Sequence, residues 1–555
     1  MMSTLLNEMN QYFKFLLGIF AFLFMGSCTT EILNPIIEDS EDEPSESTGV
    51  PLRIAIDTGD LNNSNFAETP INDLWLFFFE GAGSPTLFKG LVKANPTTDR
   101  TLFTCNYPVS SLNLPSYVIA LANVSNLPSV SSLRDLLDIT VSNPLTYNSV
   151  LMSSVRYFSK EDDHPSVFFT ELTPKNIETE NQEPIKVILE RCVAKALVYN
   201  NLPSVHVLRG LYYLNGEPVN VSTSIEAWGI NGTDTRTYLI KNLGNFNYDY
   251  YNGIFGYFYD ENPWIQWGSF GTTEYGVVNW ALSYNWSETS FLPDSDNEDA
   301  SVKFLNINEI DGKVSSEKSV FEKYIQETTR PESVFLKENA LPQLLVTAVH
   351  NIEGTPAGST FYLKDKELFR PSDYYEYISR VQQAIWYKDR PGVKVAASDL
   401  VRIIEDAPLF SDEGVRVWNM VVPSLKKDAD LSQFSDIDGN PLNSSAGIED
   451  VNSRLMYSCG AIEKFLNGKS LYKIPVRHFI NSDEEQPSPG SYGIVRNNCY
   501  LFTLTSIGSL GHGVASDDFF VTDLPGDDPA LFNIGIKLSI VPWFLTESNA
   551  DFSGD

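Results

Sequence analysis

The sequence lacks the residue patterns that mark most hydrolases and metal proteins. Neither H-E-x-x-H nor G-x-S-x-G occurs, and Asp436–Asn440 has its glycine too early for an EF-hand, which leaves an isolated calcium loop as the alternative. No pair of carboxylates is singled out for glycoside hydrolysis. The histidines are scattered, at His164, His206, His350, His478 and His512. The sequence therefore predicts no catalytic residue, no metal site and no cofactor, and we expect a protein that is not an enzyme.

Cysteine is scarce and never has C-x-x-C spacing, which argues against zinc ribbons and thioredoxin-like redox sites. Cys28 follows an apolar run and belongs to a sorting signal. The other cysteines, Cys105, Cys192, Cys459 and Cys499, are predicted to be buried apolar residues. A disulfide between Cys459 and Cys499 is an alternative in an oxidising compartment.

Positive charge is also scarce. The 555 residues include 39 Lys and Arg against 72 Asp and Glu, which gives a formal net charge of −33. A polyanion of this size is repelled by phosphates, so we exclude a nucleic-acid partner. The same charge suits an exposed surface protein that must stay soluble.

Long apolar runs are absent as well, since no stretch reaches the ~18 residues that indicate a transmembrane helix. The shorter run Phe15–Met25 fits the hydrophobic region of a signal peptide, and Gly26, Ser27 and Cys28 follow it directly. This pattern predicts a lipoprotein that loses residues 1–27 and is anchored in the outer membrane through lipid on Cys28. Residues 28–50 are acidic and rich in Ser and Pro, so we expect a disordered tether.

Strand-like patterning, in contrast, is abundant. Leu74–Phe79 is continuously apolar and predicts a strand buried on both faces, and in residues 533–540 every second residue is apolar: Ile534, Ile536, Leu538 and Ile540. Further strands are predicted at 53–56, 117–123, 185–199, 344–349, 472–476 and 499–506, and helices only at 131–137 and 374–387. We therefore expect an all-β protein of antiparallel β-sandwiches, with one domain at 51–235 and a second, with inserted loops, at 236–555.

Several motif-like segments follow one another along the chain. They are Leu74–Glu80, Tyr117–Asn123, Glu190–Lys195, Tyr324–Thr329, Leu471–His478, Tyr492–Tyr500 and Ile536–Trp543. In this order they resemble the strands of the fimbrillin superfamily (FimA/Mfa-like), most closely its Mfa-type fimbrial subunits. Two positions depart from the family pattern, because Thr328 stands where Asn is usual and Asn498 where His is usual. The side chains of Arg477, His478 and Arg496 are expected to stabilise the fold.

The resemblance implies an architecture and a way of assembling. It implies two transthyretin-like β-sandwich domains in tandem, export as a lipoprotein, and a cell-surface fimbrium that supports adhesion. Proteolytic removal of the first strand would open a groove, which the C-terminal strand of the next subunit fills. The donor strand is then expected in Ile534–Leu545 and includes Trp543. Partners would be other copies or other fimbrial subunits, head to tail, and ligands on host or bacterial surfaces.

One departure bears on processing. Family members are usually cut after Arg or Lys between the first strand and the next, yet no Lys or Arg occurs from Ile54 through Phe88. Arg53 is the candidate cleavage site, and a protease of another specificity is a second option. Alternatively, the chain keeps its first strand and its lipid and acts as an anchor subunit.

A competing function comes from the aromatic stretch Phe246–Trp286. Trp264, Trp267, Trp280 and Trp286, with nearby tyrosines, would form a sugar-stacking platform in a surface glycan-binding lipoprotein of a polysaccharide-uptake system. Sheet core is the alternative explanation of the same aromatic residues.

Overall fold

The apolar segments of the sequence form strands in the computed structural model. It describes residues 49–58, 70–81, 86–99, 101–108, 115–146, 149–159, 166–178, 180–244, 265–266, 275–285, 302–314, 322–329, 341–410, 416–478, 492–521 and 534–542. All of these belong to one unit, Ser45–Asp555. The signal sequence, Cys28, the tether and Trp543 lie outside the described residues.

The first half of the described chain is almost entirely strand. Its strands are β1 (Val50–Asp57), β2 (Leu74–Phe79), β3 (Phe88–Pro96), β4 (Leu102–Tyr107), β5 (Tyr117–Ala122), β6 (Thr140–Val141), β7 (Leu145–Thr146), β8 (Ser149–Val150), β9 (Met152–Ser154), β10 (Tyr157–Ser159), β11 (Ser166–Phe168), β12 (Thr170–Glu171), β13 (Ile185–Arg191), β14 (Val193–Asn200), β15 (His206–Leu214), β16 (Glu217–Asn231), β17 (Thr233–Asp234), β18 (Thr237–Tyr238), β19 (Ile265–Gln266) and β20 (Tyr275–Val278).

The second half is also mainly strand. It contains β21 (Val302–Lys303), β22 (Gly312–Lys313), β23 (Glu322–Gln326), β24 (Thr328–Thr329), β25 (Gln343–Ile352), β26 (Phe361–Lys364), β27 (Glu367–Phe369), β28 (Trp386–Tyr387), β29 (Ile404–Phe410), β30 (Arg416–Leu425), β31 (Phe434–Ser435), β32 (Ile462–Phe465), β33 (Lys469–Pro475), β34 (Gly493–Ile494), β35 (Asn498–Ile507), β36 (His512–Gly513) and β37 (Ile534–Pro542).

Helices are few and short in the part of the chain that the structure describes. They are α1 (Leu133–Leu137), α2 (Pro371–Val381), α3 (Ala397–Ile403) and α4 (Ser445–Cys459), with 3-10 turns at Pro174–Asn176, Ile307–Glu309 and Leu466–Gly468. None of these described helices has the length and apolar character needed to cross a membrane. The predicted all-β class with few short helices is therefore confirmed.

The first large sheet has the strand order β12-β5-β2-β3-β4-β1-β13-β9, and a further pairing of β9 with β5 closes it, with β12 beside β5. Strand β2 lies inside this sheet and is buried on both faces, as predicted. Leu74, Leu76 and Phe78 pack into the cluster enclosed by the sheet. Phe77 and Phe79 pack on the other face, against residues of α1. Its continuously apolar sequence follows from this double burial.

Two further sheets pack together around a second hydrophobic core. A four-stranded sheet, β23-β14-β35-β37, packs with strands of a longer sheet that contains β15-β16-β25-β33-β36. Side chains from both sheets form one hydrophobic cluster, to which Phe502 of β35 and Val346 of β25 belong. Most strand pairs are antiparallel, but β1–β13, β14–β35 and β15–β27 are parallel.

The predicted inserted loops of the second half include a folded segment with its own core. Between β26 and β32 the chain forms α2, α3 and α4, and side chains from all three helices are buried together with residues of β29 and β30. Strand β30 pairs with β32, so this segment is part of the longer sheet.

Several boundaries differ from the predicted ones. The predicted strand at 185–199 is two strands in different sheets, separated at Cys192. The helix predicted at 374–387 ends at Val381, and Trp386–Tyr387 pairs with β31 instead. Beyond the predicted domain boundary at residue 235, β18 pairs with β6 and β20 with β10. The division into two tandem domains stays a prediction.

Two histidines are fully buried and hydrogen-bonded. His350 Nε2 contacts Ser470 Oγ at 2.7 Å and Leu510 O at 2.9 Å, and its Nδ1 contacts Thr223 Oγ1 at 2.8 Å. Because a carbonyl oxygen can only accept, Nε2 carries the proton and Nδ1 accepts one from the threonine. Burial lowers the pKa of His350 to about 4 and that of His478 to about 3.

We expect acid to destabilise the fold through these two histidines. Each stays neutral in the folded state, whereas an exposed imidazole has a pKa of 6.5. Unfolding therefore takes up protons below that value, so stability is full above it and falls with acid towards about pH 4. At about pH 5 the loss is about 2 kcal/mol per histidine. Urea unfolding at about pH 7 and about pH 5 measures this loss.

The matched control is His512→Gln, because the His512 side chain is half exposed. His478→Gln removes one titrating group and should lose about 2 kcal/mol of the acid dependence. His512→Gln should retain that dependence. Equal acid dependence in both variants would contradict the role assigned to His478.

Candidate assembly site

Strand β1 lies in the middle of the first sheet. It pairs antiparallel with β4, from Val50 to Ala55, and parallel with β13, from Ile54 to Asp57. Its alternating pattern directs Leu52, Ile54 and Ile56 into the enclosed core, where each is at most 4% exposed. Removing β1 would therefore expose an apolar groove with unpaired main-chain groups on both sides.

Arg53, the candidate cleavage site, is part of β1 itself. Its side chain is exposed and Nη1 donates to Gln182 O at 3.4 Å, while Gln182 Nε2 donates to Pro51 O at 2.7 Å. The bond that a trypsin-like protease would cut precedes Ile54, which is fully buried and paired with both neighbouring strands. Because proteases need a locally extended and unpaired segment, this bond is protected while β1 stays in the sheet.

Motif segments from both halves of the chain come together in the structure. β14 begins within Glu190–Lys195, Tyr324–Thr329 contains the end of β23 and all of β24, and β35 begins at Asn498. β14 pairs with both β23 and β35, and β24 pairs with β34. Residues more than 300 positions apart are thereby adjacent, as in the hydrogen bond from Asn497 N to Val193 O at 2.8 Å.

Arg496 lies at the centre of this junction and is completely buried. Its Nε donates to Glu327 Oε2 at 2.9 Å, and its Nη2 donates to Thr237 Oγ1 at 2.9 Å and to Tyr238 O at 2.7 Å. Glu327 is 1% exposed. A buried ion pair with additional hydrogen bonds fixes how its elements are placed, since removing one partner leaves an uncompensated charge. The predicted fold-stabilising role of Arg496 agrees with this geometry.

A second buried pair lies beside the first. Lys241 Nζ contacts Glu190 Oε2 and donates to Val278 O at 2.8 Å. Burial raises the pKa of Glu190, and the charges of Lys241 and Arg496 oppose that effect. Cys192, between β13 and β14, is also buried, and burial raises the pKa of its thiol to about 11. Such a thiol is not a reactive nucleophile.

His478, also in a motif segment, belongs to the same buried region. Its Nδ1 contacts the hydroxyl of Tyr500 at 2.7 Å, and that hydroxyl accepts a hydrogen bond from Val495 N at 2.8 Å. The hydroxyl therefore donates to Nδ1, which fits a neutral imidazole. Trp280 packs 6.0 Å away and is 1% exposed.

β37 contains four of the five predicted donor residues, namely Ile534, Ile536, Leu538 and Ile540, and forms the edge of the four-stranded sheet. It pairs antiparallel with β35 of the same chain, from Ile534 opposite Ile507 to Pro542 opposite Asn498. The pairing has a bulge between Leu504 and Ser506, opposite Gly535, where an added Cβ would meet Ser506 Oγ. Any larger residue at this point of the strand would therefore require the hydroxyl groups of Ser506 and Thr505 to move.

The apolar face of β37 is only partly covered. Ile534 is 2% exposed, whereas Ile536, Leu538 and Ile540 are partly buried against the shared core. The alternation predicted for this segment is confirmed, since these side chains face the core and Lys537 is exposed. The structure thus places the candidate donor strand in its own subunit, with incomplete burial.

Two alternative binding sites find no support. Trp280 is buried, so it cannot contribute to a sugar-stacking surface, and Trp264, Trp267 and Trp286 lie outside the described residues. In the Asp436–Asn440 loop, Asp436 Oδ1 accepts hydrogen bonds from the backbone N–H groups of Asp438 and Asn440, and Oδ2 accepts one from Asn440 Nδ2. The carboxylate closes its own turn.

The cysteines and acidic residues form no other site in the described part of the chain. Cys105, Cys192, Cys459 and Cys499 are all free thiols, so the alternative of a Cys459–Cys499 disulfide is not realised. No group of three or more His, Cys, Asp or Glu residues in the described ranges is arranged to hold a metal ion.

Comparison with known proteins gives one sequence match. Residues 463–549 match the family model described as "Major fimbrial subunit protein type IV, Fimbrillin, C-terminal". The resemblance to the fimbrillins is confirmed. This fimbrillin-like segment includes β33, β34, β35 and β37, and therefore Arg496 of the junction and the candidate donor strand. A search of curated proteins gave no match.

Solved structures with a similar backbone trace include fimbrial proteins of Porphyromonas gingivalis. The fimbrilin FimA is 13% identical, covering 89% of this chain and 97% of its own, with a TM-score of 0.34. The tip fimbrial protein Mfa3 is 10% identical, covering 89% of this chain and 99% of its own, with a TM-score of 0.31. Likeness of this degree carries no argument about function.

Proposed function

We propose that this chain is a structural subunit of a cell-surface fimbrium, exported as a lipoprotein through Cys28 and assembled head to tail by strand exchange. The observation that carries the proposal is the position of β37. It is an apolar edge strand inside the fimbrillin-like segment, and only one of its edges is paired among the described residues. A strand of this kind can add to a sheet of another chain through main-chain hydrogen bonds.

The side-chain spacing of β37 fits the groove that removal of β1 would leave. β1 inserts every second residue into an enclosed apolar core, and β37 has apolar side chains with the same spacing, four in succession. At about 1.5–3 kcal/mol for each large apolar side chain, full burial of four contributes on the order of 6–12 kcal/mol. Ordering the strand and associating the subunits cost several kcal/mol. The remainder is sufficient for a stable contact, and a head-to-tail contact propagates into a filament.

Exchange requires β37 to leave β35 first. The pairing within one subunit protects an apolar strand before assembly, but it leaves three of the four donor side chains partly buried. A groove that buries them completely is the more favourable environment, by about 25 cal/mol for each Å² of apolar surface removed from water. We infer that the single subunit holds β37 in a storage position and that assembly transfers it.

Retention or loss of β1 distinguishes two positions that a subunit can occupy in the filament. A shaft or accessory subunit must lose β1, whereas an anchor subunit keeps β1 together with its lipid. Because β1 is paired along both edges and no Lys or Arg occurs from Ile54 through Phe88, a shaft subunit would have to release β1 before Arg53 is cut, or be cut by a protease of another specificity. Palmitate labelling of purified filaments distinguishes the two positions, since an anchor retains the label. Complete absence of label from the mature subunit would instead favour the shaft.

A disulfide staple tests the strand transfer. Thr503 and Lys537 are directly paired partners of β35 and β37, with neither side chain in the core. Cysteines at both positions should form a disulfide that holds β37 in its own subunit, so filament ladders on unboiled gels should disappear under oxidising conditions. Reduction with dithiothreitol should restore them.

The single variant Lys537→Cys is the matched control, because it changes the same strand without closing the staple. It should assemble equally with and without reductant. If the oxidised double variant also assembles like wild type, β37 does not leave β35 and strand transfer by this segment is wrong. A fimbrial role would then need another donor strand.

A further inference from the structure

A cavity of about 600 Å³ lies in the first half of the described chain, and no residue of β1 or β37 lines it. Its wall is formed by the segment after β5, by the residues around β6 and β7, and by the segment of β18. Strand β6 pairs with β18, which brings these parts of the chain together. A cavity of this size can hold one or two sugar rings or another small ligand.

The floor of the cavity is apolar and its rim is polar. Leu151 and Leu239 are buried, at 5% and 2% exposure, and form part of the floor. Ser125, Asn126 and Ser142 are exposed at the rim. Their hydroxyl and amide groups can both donate and accept hydrogen bonds.

Charge distinguishes this cavity from the rest of the molecule. None of the fifteen described residues that line it is acidic, and Arg236 is its single charged residue, in a chain whose net charge is −33. Asp73 is not in the lining; it accepts a hydrogen bond from the backbone N–H of Val124 at 3.2 Å. The cavity is therefore suited to a ligand with one negative charge.

The guanidinium of Arg236 is held in place. Its Nε donates to Thr140 Oγ1 at 2.9 Å and its Nη2 to Thr140 O at 3.3 Å, while its face lies 5.7 Å from the ring centre of Tyr284. Among the described residues, Nη1 makes no hydrogen bond. The edge formed by Nη1 and the second hydrogen of Nη2 is thus available to a ligand, on an exposed side chain that Thr140 and Tyr284 contact. Planar donors of this kind bind a carboxylate through two parallel hydrogen bonds.

We propose that this cavity binds an acidic sugar residue of a surface glycan, with the sugar carboxylate on Arg236. The rim hydroxyls and amides would bind the sugar hydroxyls, and the leucine floor would take an apolar substituent such as an N-acetyl methyl group. The site gives a chemical class to the adhesive ligand of the proposed fimbrial subunit. It rests on that proposed function for its role, but not on strand exchange for its binding.

A sugar fits these contacts better than a peptide. An extended peptide takes its main-chain hydrogen bonds from an unpaired strand edge. Here the two residues of β6 already pair with β18, and the free groups at the rim are side-chain hydroxyls and amides. These groups match a ligand that has many hydroxyl groups.

The test uses the purified full-length chain as a monomer. A glycan array with sialylated, uronate-containing, sulfated and neutral glycans is followed by titration with N-acetylneuraminic acid, glucuronic acid and lactose. Salt near physiological strength is used, because it screens the long-range repulsion between the acidic chain and an acidic sugar beyond about 8 Å. We expect saturable binding of carboxylated sugars and at least tenfold weaker binding of lactose.

Two variants change the charge of the site in different ways. Arg236→Gln removes the cation, and Asn126→Asp adds an anion at an exposed rim position that makes no hydrogen bond within the described residues. Both should weaken binding of the acidic sugar at least tenfold without lowering the melting temperature substantially. Arg209→Gln removes the same charge from an exposed position in β15 and should bind like wild type.

Three results would overturn the proposal. They are no binding of any carboxylated glycan by wild type, unchanged affinity in both Arg236→Gln and Asn126→Asp, and binding of lactose by wild type that is as tight as binding of the acidic sugars. Because binding is measured on the monomer, these results leave the disulfide-staple test of assembly unaffected, and failure of that test leaves the sugar measurement unaffected.

Discussion

The main-chain pairing of β35 is the interaction on which the second half of the molecule depends. This strand pairs along one edge with β14 and along the other with β37, and its inward side chains fill the core shared by two sheets. β14 continues from β13 after Cys192, so the same pairing ties the first sheet to the second. Whatever occupies the outer edge of β35 therefore completes this sheet. In the single subunit that occupant is β37.

The buried charges at the junction act alongside this pairing. Arg496 and Glu327, with Lys241 and Glu190, bring together segments that lie far apart in sequence. Buried ion pairs contribute little net stability but strongly disfavour alternative arrangements, because each misplaced charge would remain uncompensated. In the proposed strand exchange, the junction would stay fixed while the edge strand β37 leaves. Such an exchange requires a rigid junction beside a removable edge strand, so that the subunit releases one strand without unfolding.

Much of this arrangement could be predicted from the sequence, because the relevant signals are local. The double burial of β2 follows from a continuously apolar segment, and the inward face of β37 follows from strict alternation. The family motifs indicated the junction residues, including Arg496, although not their partners. Pairing with Glu327 and Thr237 depends on contacts across more than 150 residues, which no periodicity contains.

Other features of the structure have only a weak sequence pattern, or none, from which they could be predicted. Helix α4 was not predicted because its sequence is polar, yet Val451, Leu455 and Cys459 follow one another at four-residue spacing and are buried, which is a helical pattern. Helix α3 is only seven residues long and has no side-chain N-cap. The cavity beside Arg236 joins segments from three parts of the chain. Such a site depends on tertiary packing and has no local pattern in the sequence that could predict it.

The central claim is that β37 moves from its own subunit to a neighbour. A photoreactive amino acid at position 538 tests this most directly in filaments assembled from mixed light and heavy isotope-labelled subunits, followed by mass spectrometry of the cross-linked peptides. Strand transfer predicts cross-links from position 538 to residues of β4 or β13 that join light chains with heavy chains. Cross-links only to β35 within one isotopic chain would contradict it.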